Sequence, residues 1–145
     1  MADAHPRRLG IDVRGCRVVL VGRHVRAAAP ASGALRGGWL RLAPPADGEP
    51  AWLAYDIPAD TAVVAVAARD GAAVDVPDTL ALSLDDVALV ATRGATLHVA
   101  PFRVDALVAS ASLGGVIHGS VSCARASRYV DTSSRLPCVH VETKN

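Results

Sequence analysis

The sequence contains few aromatic residues. They make up 3% of the 145 residues, whereas 51% of the residues are hydrophobic. A core without large rings must be built mainly from Val, Leu and Ala, and small side chains allow neighbouring backbones to pack closely. The scarcity of rings also argues against single-stranded nucleic-acid and carbohydrate binding, which commonly use aromatic stacking platforms. The aromatic residues are Trp39, Trp52, Tyr55, Phe102 and Tyr129.

Long apolar runs are also absent. No segment approaches the ~20 consecutive apolar residues of a membrane-spanning helix. The N-terminal residues MADAHPRRLG contain charges and a proline where a secretory signal has an apolar segment. We therefore expect a soluble protein that is cytoplasmic or particle-associated. Its three cysteines, Cys16, Cys123 and Cys138, are expected to be free thiols, with a Cys123–Cys138 disulfide as the open alternative.

Common catalytic and cofactor-binding motifs are missing. The sequence has no G-x-S-x-G, P-loop, G-x-G-x-x-G or H-E-x-x-H pattern. Gly114 and Gly115 precede an apolar strand rather than a helix whose N-terminus could bind phosphate. Asp85 and Asp86 are adjacent, so their carboxylates are expected to point apart rather than to act as a catalytic pair. These absences favour a non-enzymatic protein that uses no cofactor.

Short apolar segments dominate the sequence between Thr61 and Ser122. They are rich in Val, Ala, Leu and Ser and are separated by turn signals such as Asp70-Gly71 and Arg93-Gly94. No helical spacing of apolar residues is sustained anywhere. The pattern predicts stacked β-strands and an all-β fold.

We predict a flexible arm over residues 1–9 and a single compact all-β domain over residues 10–145. The regular spacing of turns favours an antiparallel β-sandwich or barrel. A short β-solenoid is the alternative, because Ala88–Thr92 resembles Ala106–Ser110 at an offset of eighteen residues, about the length of one small coil.

The sequence also predicts a β-hairpin. Its strands would be Trp39–Ala43 and 51–57, joined through Asp47-Gly48, with a contact between Leu42 and Trp52. The preceding segment, from Ala27 to Gly38, contains Pro30 and several glycines and is expected to have little regular structure.

Charge is unevenly distributed along the chain. Residues 1–45 contain eight arginines and two aspartates, whereas residues 46–105 contain ten acidic residues and three arginines. This segregation predicts that a basic part covers an acidic part within one subunit, or that the basic end of one subunit docks on the acidic end of the next. Nucleic acid is an unlikely partner, since no aromatic residue is interleaved with the basic ones. The candidate interface or anion-facing residues are Arg7, Arg8, Arg14, Arg17, Arg23 and Arg26.

Two weaker sites were considered. His118, Cys123, Cys138 and His140 carry donors that zinc accepts, but only Cys138 and His140 have a spacing that places both on one side of a strand. We therefore predict no metal site. Cys16 lies near arginines that would lower a thiol pKa, yet it adjoins an apolar strand and has no identifiable histidine partner. A packed cysteine is the expected role.

Three functions follow from these patterns. The first is a non-enzymatic structural protein, a homo-oligomeric subunit that associates with itself or docks on a larger particle. The second is a β-barrel or sandwich module that binds a small ligand or a protein through the loops at 27–38 and 125–137. The third is a cysteine-dependent enzyme.

Overall fold

A computed structural model describes residues 7–21, 23–27, 31–45, 54–77 and 82–141. These residues form twelve strands in one curled sheet and no helix, so the all-β prediction is confirmed. No helix in this part of the chain could cross a membrane. The strands are β1 (Arg7–Arg14), β2 (Arg17–Val21), β3 (His24–Ala27), β4 (Ser32–Arg36), β5 (Trp39–Ala43), β6 (Ala54–Asp56), β7 (Thr61–Arg69), β8 (Ala73–Val76), β9 (Asp86–Thr92), β10 (Thr96–Ser112), β11 (Val116–Val130) and β12 (Cys138–Val141).

Most neighbouring strands run in parallel. Among the described residues, eight strand pairings are parallel and three are antiparallel. The antiparallel sandwich or barrel is therefore not confirmed. The alternation of apolar residues does not distinguish parallel from antiparallel pairing, because inward and outward side chains alternate along a strand in both.

The longest strands wrap around the interior. β10 pairs in parallel with β11 from Thr96 to Ala111, although a turn of only three residues separates the two strands. A parallel partner must start beside the beginning of β10, so β10 has to return to its own starting point before the turn. A register shift between Val99 and Phe102 lies within this strand. β10 and β11 are therefore two stacked coils.

The coil length differs from the offset seen in the sequence. Asp86 pairs with Ala106, and Thr96 pairs with Val116, so successive coils are offset by twenty residues there. The similar segments Ala88–Thr92 and Ala106–Ser110 are offset by eighteen. Because side chains alternate with a period of two, an error of two residues still places inward positions over inward positions.

Similar turns stack at one corner of the coils. Asp70-Gly71, Arg93-Gly94 and Leu113-Gly114 all have positive φ angles, between 52° and 83°. The Gly71 amide donates to the Arg93 carbonyl, and the Gly94 amide donates to the Leu113 carbonyl. The turns predicted at Asp70-Gly71 and Arg93-Gly94 are therefore present, and hydrogen bonds join each turn to the next.

Columns of apolar side chains fill the interior. One column follows the strand registers from β5 through β1, β7 and β9 to β10, and each of its side chains is at most 1% exposed. It consists of Leu40, Ile11, Val66, Leu89 and Ala109. Burial of such aliphatic side chains contributes roughly 1.5–3 kcal/mol each. The interior accordingly extends along the stack as one continuous core.

Antiparallel strands make up the first end of the stack. β4 pairs with β5, while β3 pairs with β2 and β6. Val25, Leu42 and Ile57 are at most 3% exposed there. These three side chains therefore belong to the core, although β4 and β6 each have a described partner on one side only.

Three local predictions need correction. β5 pairs with β1 and β4, and β6 pairs with β3, so β5 and β6 do not form the predicted hairpin. Trp52, and with it the expected contact to Leu42, lies outside the described residues. The connection predicted to be irregular contains β4, and Arg7–Leu9, assigned to the arm, belong to β1.

Candidate assembly interface at the open end of the coil stack

The predicted basic residues are largely engaged within the chain. Arg7 pairs with Asp60 at 3.4 Å, and Arg8 forms a two-point ion pair with Asp86. Arg14 lies 3.6 Å from Asp12, which is 9% exposed in its side chain and also binds Arg69 at 3.2 Å.

The remaining predicted arginines follow the same trend. Arg17 lies 3.9 Å from Asp75. The Arg23 guanidinium donates to the carbonyls of Pro58 and Thr61 at 2.6 and 3.0 Å. Arg26 is exposed on β3. These contacts agree with the basic part covering the acidic part within one subunit.

The second end of the stack is formed by the last part of β11. β11 ends in the segment Ala126–Val130, which pairs with β10 on one side. No described strand pairs with its other side. We call Ala126–Val130 the open edge.

Two of the three inward positions along the open edge are exposed, and the third, Ala126, is partly buried. Ala126, Arg128 and Val130 pair with Leu107, Ala109 and Ala111 of β10, all of which are at most 1% exposed. Val130 itself is 46% exposed, and Arg128 is also exposed. These side chains follow the inward-facing rows of β10, but no further coil among the described residues covers them.

Exposed apolar side chains also occur on β12. Val141 pairs with the fully buried Cys123 and is 40% exposed, while Tyr129 on the open edge is 60% exposed. Val139 pairs with Val121 beside them. The end of the stack therefore presents exposed apolar side chains together with backbone groups that no described strand pairs. We call Ala126–Val130 and Val141 together the open end.

Positive charge borders the open end. Arg125, Arg128 and Arg135 form no ion pair with any described carboxylate. Asp131 lies close to them in the sequence, but its carboxylate accepts hydrogen bonds from the turn residues Leu113, Ser133 and Ser134. Two such ends facing each other would repel at low ionic strength.

Asp131 closes the turn column at this end. Its carboxylate accepts hydrogen bonds from the Leu113 amide at 2.8 Å and from the Ser133 and Ser134 hydroxyls. The Ser134 bond, followed by the Leu113 bond, lowers the pKa of Asp131 below its ordinary value. The corner of the last coil therefore has a polar cap that the open edge lacks.

The weak metal candidates do not come together as a site. His118 is exposed and points outward, whereas Cys123 is fully buried. His140 is exposed on β12, and the Cys138 side chain lies outside what the structure describes. Within the described part of the chain, no three His, Cys, Asp or Glu side chains are arranged to hold a metal ion.

The cysteine environments do not resemble an activated nucleophile. Burial raises the pKa of the Cys16 thiol, whereas a reactive cysteine needs a lowered pKa. Arg14 and Arg17 instead bind Asp12 and Asp75. Cys16 and Cys123 are both free thiols.

Comparison with known proteins identified no relative. No family model matches the chain, and neither a curated protein nor a solved structure resembles it significantly. Sequence reasoning assigned residues 125–137 to a binding loop. The structure instead places residues 125–130 in β11, so the open edge is part of a strand segment that the sequence analysis did not predict.

Proposed function

We propose that this protein is a non-enzymatic structural subunit, a short β-solenoid that associates with a second copy of itself through the open end. The observation that carries the proposal is the 46% exposure of Val130 at a position that is fully buried one coil earlier, at Ala111. Stacked repeats bury their inner faces only against neighbours, so an uncovered terminal coil favours association.

A second copy can supply the missing neighbour. An unpaired strand edge can pair with another edge, and an edge pairs with its own copy when the two strands run antiparallel about a two-fold axis. Such a contact would cover Val130 and Val141 in both copies. It would also satisfy the amide and carbonyl groups along Ala126–Val130.

Charge selects among the possible registers. If inward positions face inward positions, Arg128 opposite its own copy would place like charges together, which is destabilising. Pairing with Ser127 opposite its copy instead puts Arg128 opposite Ala126 and Arg125 opposite Tyr129. The latter pair allows a cation–π contact. We therefore favour the register centred on Ser127.

The two-fold symmetry limits the size of the assembly. A two-fold contact uses the same surface of both copies, so it leaves no second copy of that surface free to add further subunits. We therefore propose a closed dimer rather than a filament. Docking of the same edge on a different protein is the competing arrangement, and it includes the binding through residues 125–137 considered above.

Sedimentation velocity over a range of protein concentrations tests the proposal. The wild type should approach twice the chain mass of 14.9 kDa as concentration rises. The double variant Val130→Lys/Val141→Lys should remain monomeric, because lysine replaces apolar contact surface at the interface. A wild type that stays monomeric at high concentration would contradict self-association.

Leu35→Lys provides the matched control. Leu35 is 53% exposed and lies on β4, at the other end of the stack from the open edge. Its substitution adds a comparable charge to a surface that the proposed contact does not use. The control should dimerise as the wild type does, and equal loss of dimer in both variants would argue against the open end as the interface.

A further inference from the structure

Two histidines far from the open end form an ordered pair. His98 on β10 and His118 on β11 are direct register partners, one coil apart. Their ring centroids are 4.8 Å apart, and the ring planes are inclined by 18°. Both residues are exposed, on the outer side of the coils. The stack therefore holds two imidazoles side by side on neighbouring strands.

A carboxylate continues the same row. Asp75 on β8 is the register partner of His98 on the side away from His118. Its side chain is 42% exposed, and its ion pair with Arg17 is long, at 3.9 Å. Three neighbouring strands thus present a carboxylate and two imidazoles in one line.

A groove beside this row leaves room for a ligand. It has a volume of about 360 Å³ and is lined by Asp75, His98 and His118 together with apolar residues such as Pro77 and Val99. The groove lies along the side of the stack, so a bound species would not need to enter the core. A small species could reach the imidazole nitrogens directly from solvent.

We propose that His98 and His118 chelate one divalent transition-metal ion, for which zinc is the test case. Imidazole is a preferred ligand of zinc, with Zn–N distances of about 2.0–2.1 Å. Rotation of the exposed rings about their side-chain bonds allows one nitrogen of each to point at a shared ion. The backbone holds the two residues one strand spacing apart before the metal arrives, which lowers the entropy lost on binding.

Water fills the remaining coordination positions in this proposal. Since no three potential ligands converge in the described part of the chain, the site is a two-histidine chelate. Asp75 is the next donor in the row, but it lies on the side of His98 away from His118 and is not a ligand in this proposal. The site is independent of the proposed dimer, because neither histidine belongs to the open end.

Calorimetric titration of the full chain with zinc chloride tests the site. The wild type should bind one zinc ion per chain, and His98→Ala and His118→Ala should each weaken binding at least tenfold, since each leaves a single imidazole. Asp75→Asn should change the affinity by less than about twofold, because the carboxylate is not a ligand. His140→Ala is the control, because His140 is an exposed histidine on β12, and it should bind zinc as the wild type does.

Imidazole NMR resonances supply a second measurement. Zinc should shift the His98 and His118 ring signals together at one equivalent and leave the His24 signals unchanged. Unaltered melting temperatures without zinc would show that both alanine variants fold. Absent binding, equal affinity in the wild type and His98→Ala, or the same loss in His140→Ala would overturn the proposal and leave the pair as a stacked ladder only.

The Val130→Lys/Val141→Lys variant tests the independence of the two proposals. It should bind zinc with the affinity of the wild type, because its substitutions lie at the open end. Zinc binding that disappeared together with the dimer would overturn the two-histidine chelate and place the metal at the interface between copies.

Discussion

Arg8 and Asp86 lie 78 residues apart in the sequence and form a two-point ion pair between β1 and β9. Nη1 of Arg8 lies 3.2 Å from Oδ1 of Asp86, and Nη2 lies 2.6 Å from Oδ2. This pair joins the basic first part of the chain to its acidic middle. At this point the opposite charges of the two parts of the chain therefore attract each other within one subunit.

A charge swap should reveal this internal pairing. We expect Arg8→Glu and Asp86→Arg each to lower the melting temperature, because each places like charges together. The double variant should recover most of the loss, and the effects should shrink in high salt because both side chains are exposed. Thermal unfolding at two salt concentrations measures this. Single variants that change the oligomer mass and not the melting temperature would indicate pairing between subunits.

Asp131→Asn should destabilise the protein in a pH-dependent manner. Because hydrogen bonds lower the pKa of Asp131 in the folded state, its carboxylate stabilises the fold above the ordinary aspartate pKa of about 3.9. That contribution disappears as the pH falls through the lowered value. The variant should therefore be less stable than the wild type at neutral pH, and the difference should narrow below about pH 4.

Denaturant unfolding at several pH values would measure this effect. Asp105→Asn is the control, since Asp105 is exposed and makes none of the hydrogen bonds that Asp131 makes. Its stability should follow the wild type across the same range. A constant difference between Asp131→Asn and the wild type at every pH would contradict the role of the ionised carboxylate.

Neighbouring residues on β10 test the inward and outward alternation. Leu107 is 1% exposed in the core, so Leu107→Ala should cost about 2–5 kcal/mol of unfolding free energy. Val108 is 50% exposed, and Val108→Ala should change stability by no more than about 0.5 kcal/mol. Chemical denaturation of both variants measures the contrast. Equal losses of unfolding free energy in the two variants would contradict the inward position of Leu107 and the outward position of Val108.

Gly115 tests the close approach of successive coils. A β-carbon at this position would lie 2.1 Å from the Ala91 carbonyl oxygen, so the backbone would have to move. We expect Gly115→Ala to cost about 1–3 kcal/mol, as for other overpacked sites. Ser120→Ala, at an exposed position on the strand that follows Gly115, is the control and should be nearly neutral. A neutral Gly115→Ala would show that the coils are spaced more widely.

The sequence predicted some features of the fold because their causes are local. Asp70-Gly71 and Arg93-Gly94 indicate turns through the positive φ that glycine tolerates, and short Val-rich and Ala-rich segments indicate strands. The parallel coils were harder to predict, since their alternation is the same as that of antiparallel strands. The resemblance of Ala88–Thr92 to Ala106–Ser110 gave an offset close to one coil, but not the observed register.

The candidate sites depend on long-range register, which the sequence does not display. His98 and His118 appear as two isolated histidines until a twenty-residue coil places them side by side. Val130 resembles any strand valine until the order of coils makes its strand the last one on that face. By contrast, the distribution of charge did indicate that Arg8 would lie against an acidic region.

Ionic strength distinguishes the proposed dimer from assembly by opposite charges. Since Arg125, Arg128 and Arg135 border the open end, added salt should screen their repulsion and raise the dimer fraction. Docking of a basic surface on an acidic one would weaken under the same conditions. Sedimentation at two salt concentrations measures the sign, and dissociation at high salt would contradict the open-end dimer.

Hydrogen exchange at the open edge tests the central claim most directly. Pairing with a second copy should give hydrogen-bond acceptors to those amides of Ala126–Val130 that point away from β10. Their hydrogen exchange should therefore slow as protein concentration rises. The amides of Leu107–Ala111, already inside the sheet, should show no such dependence. If the exchange of Ala126–Val130 is independent of concentration while dimers form, the copies associate elsewhere and the open-end account is wrong.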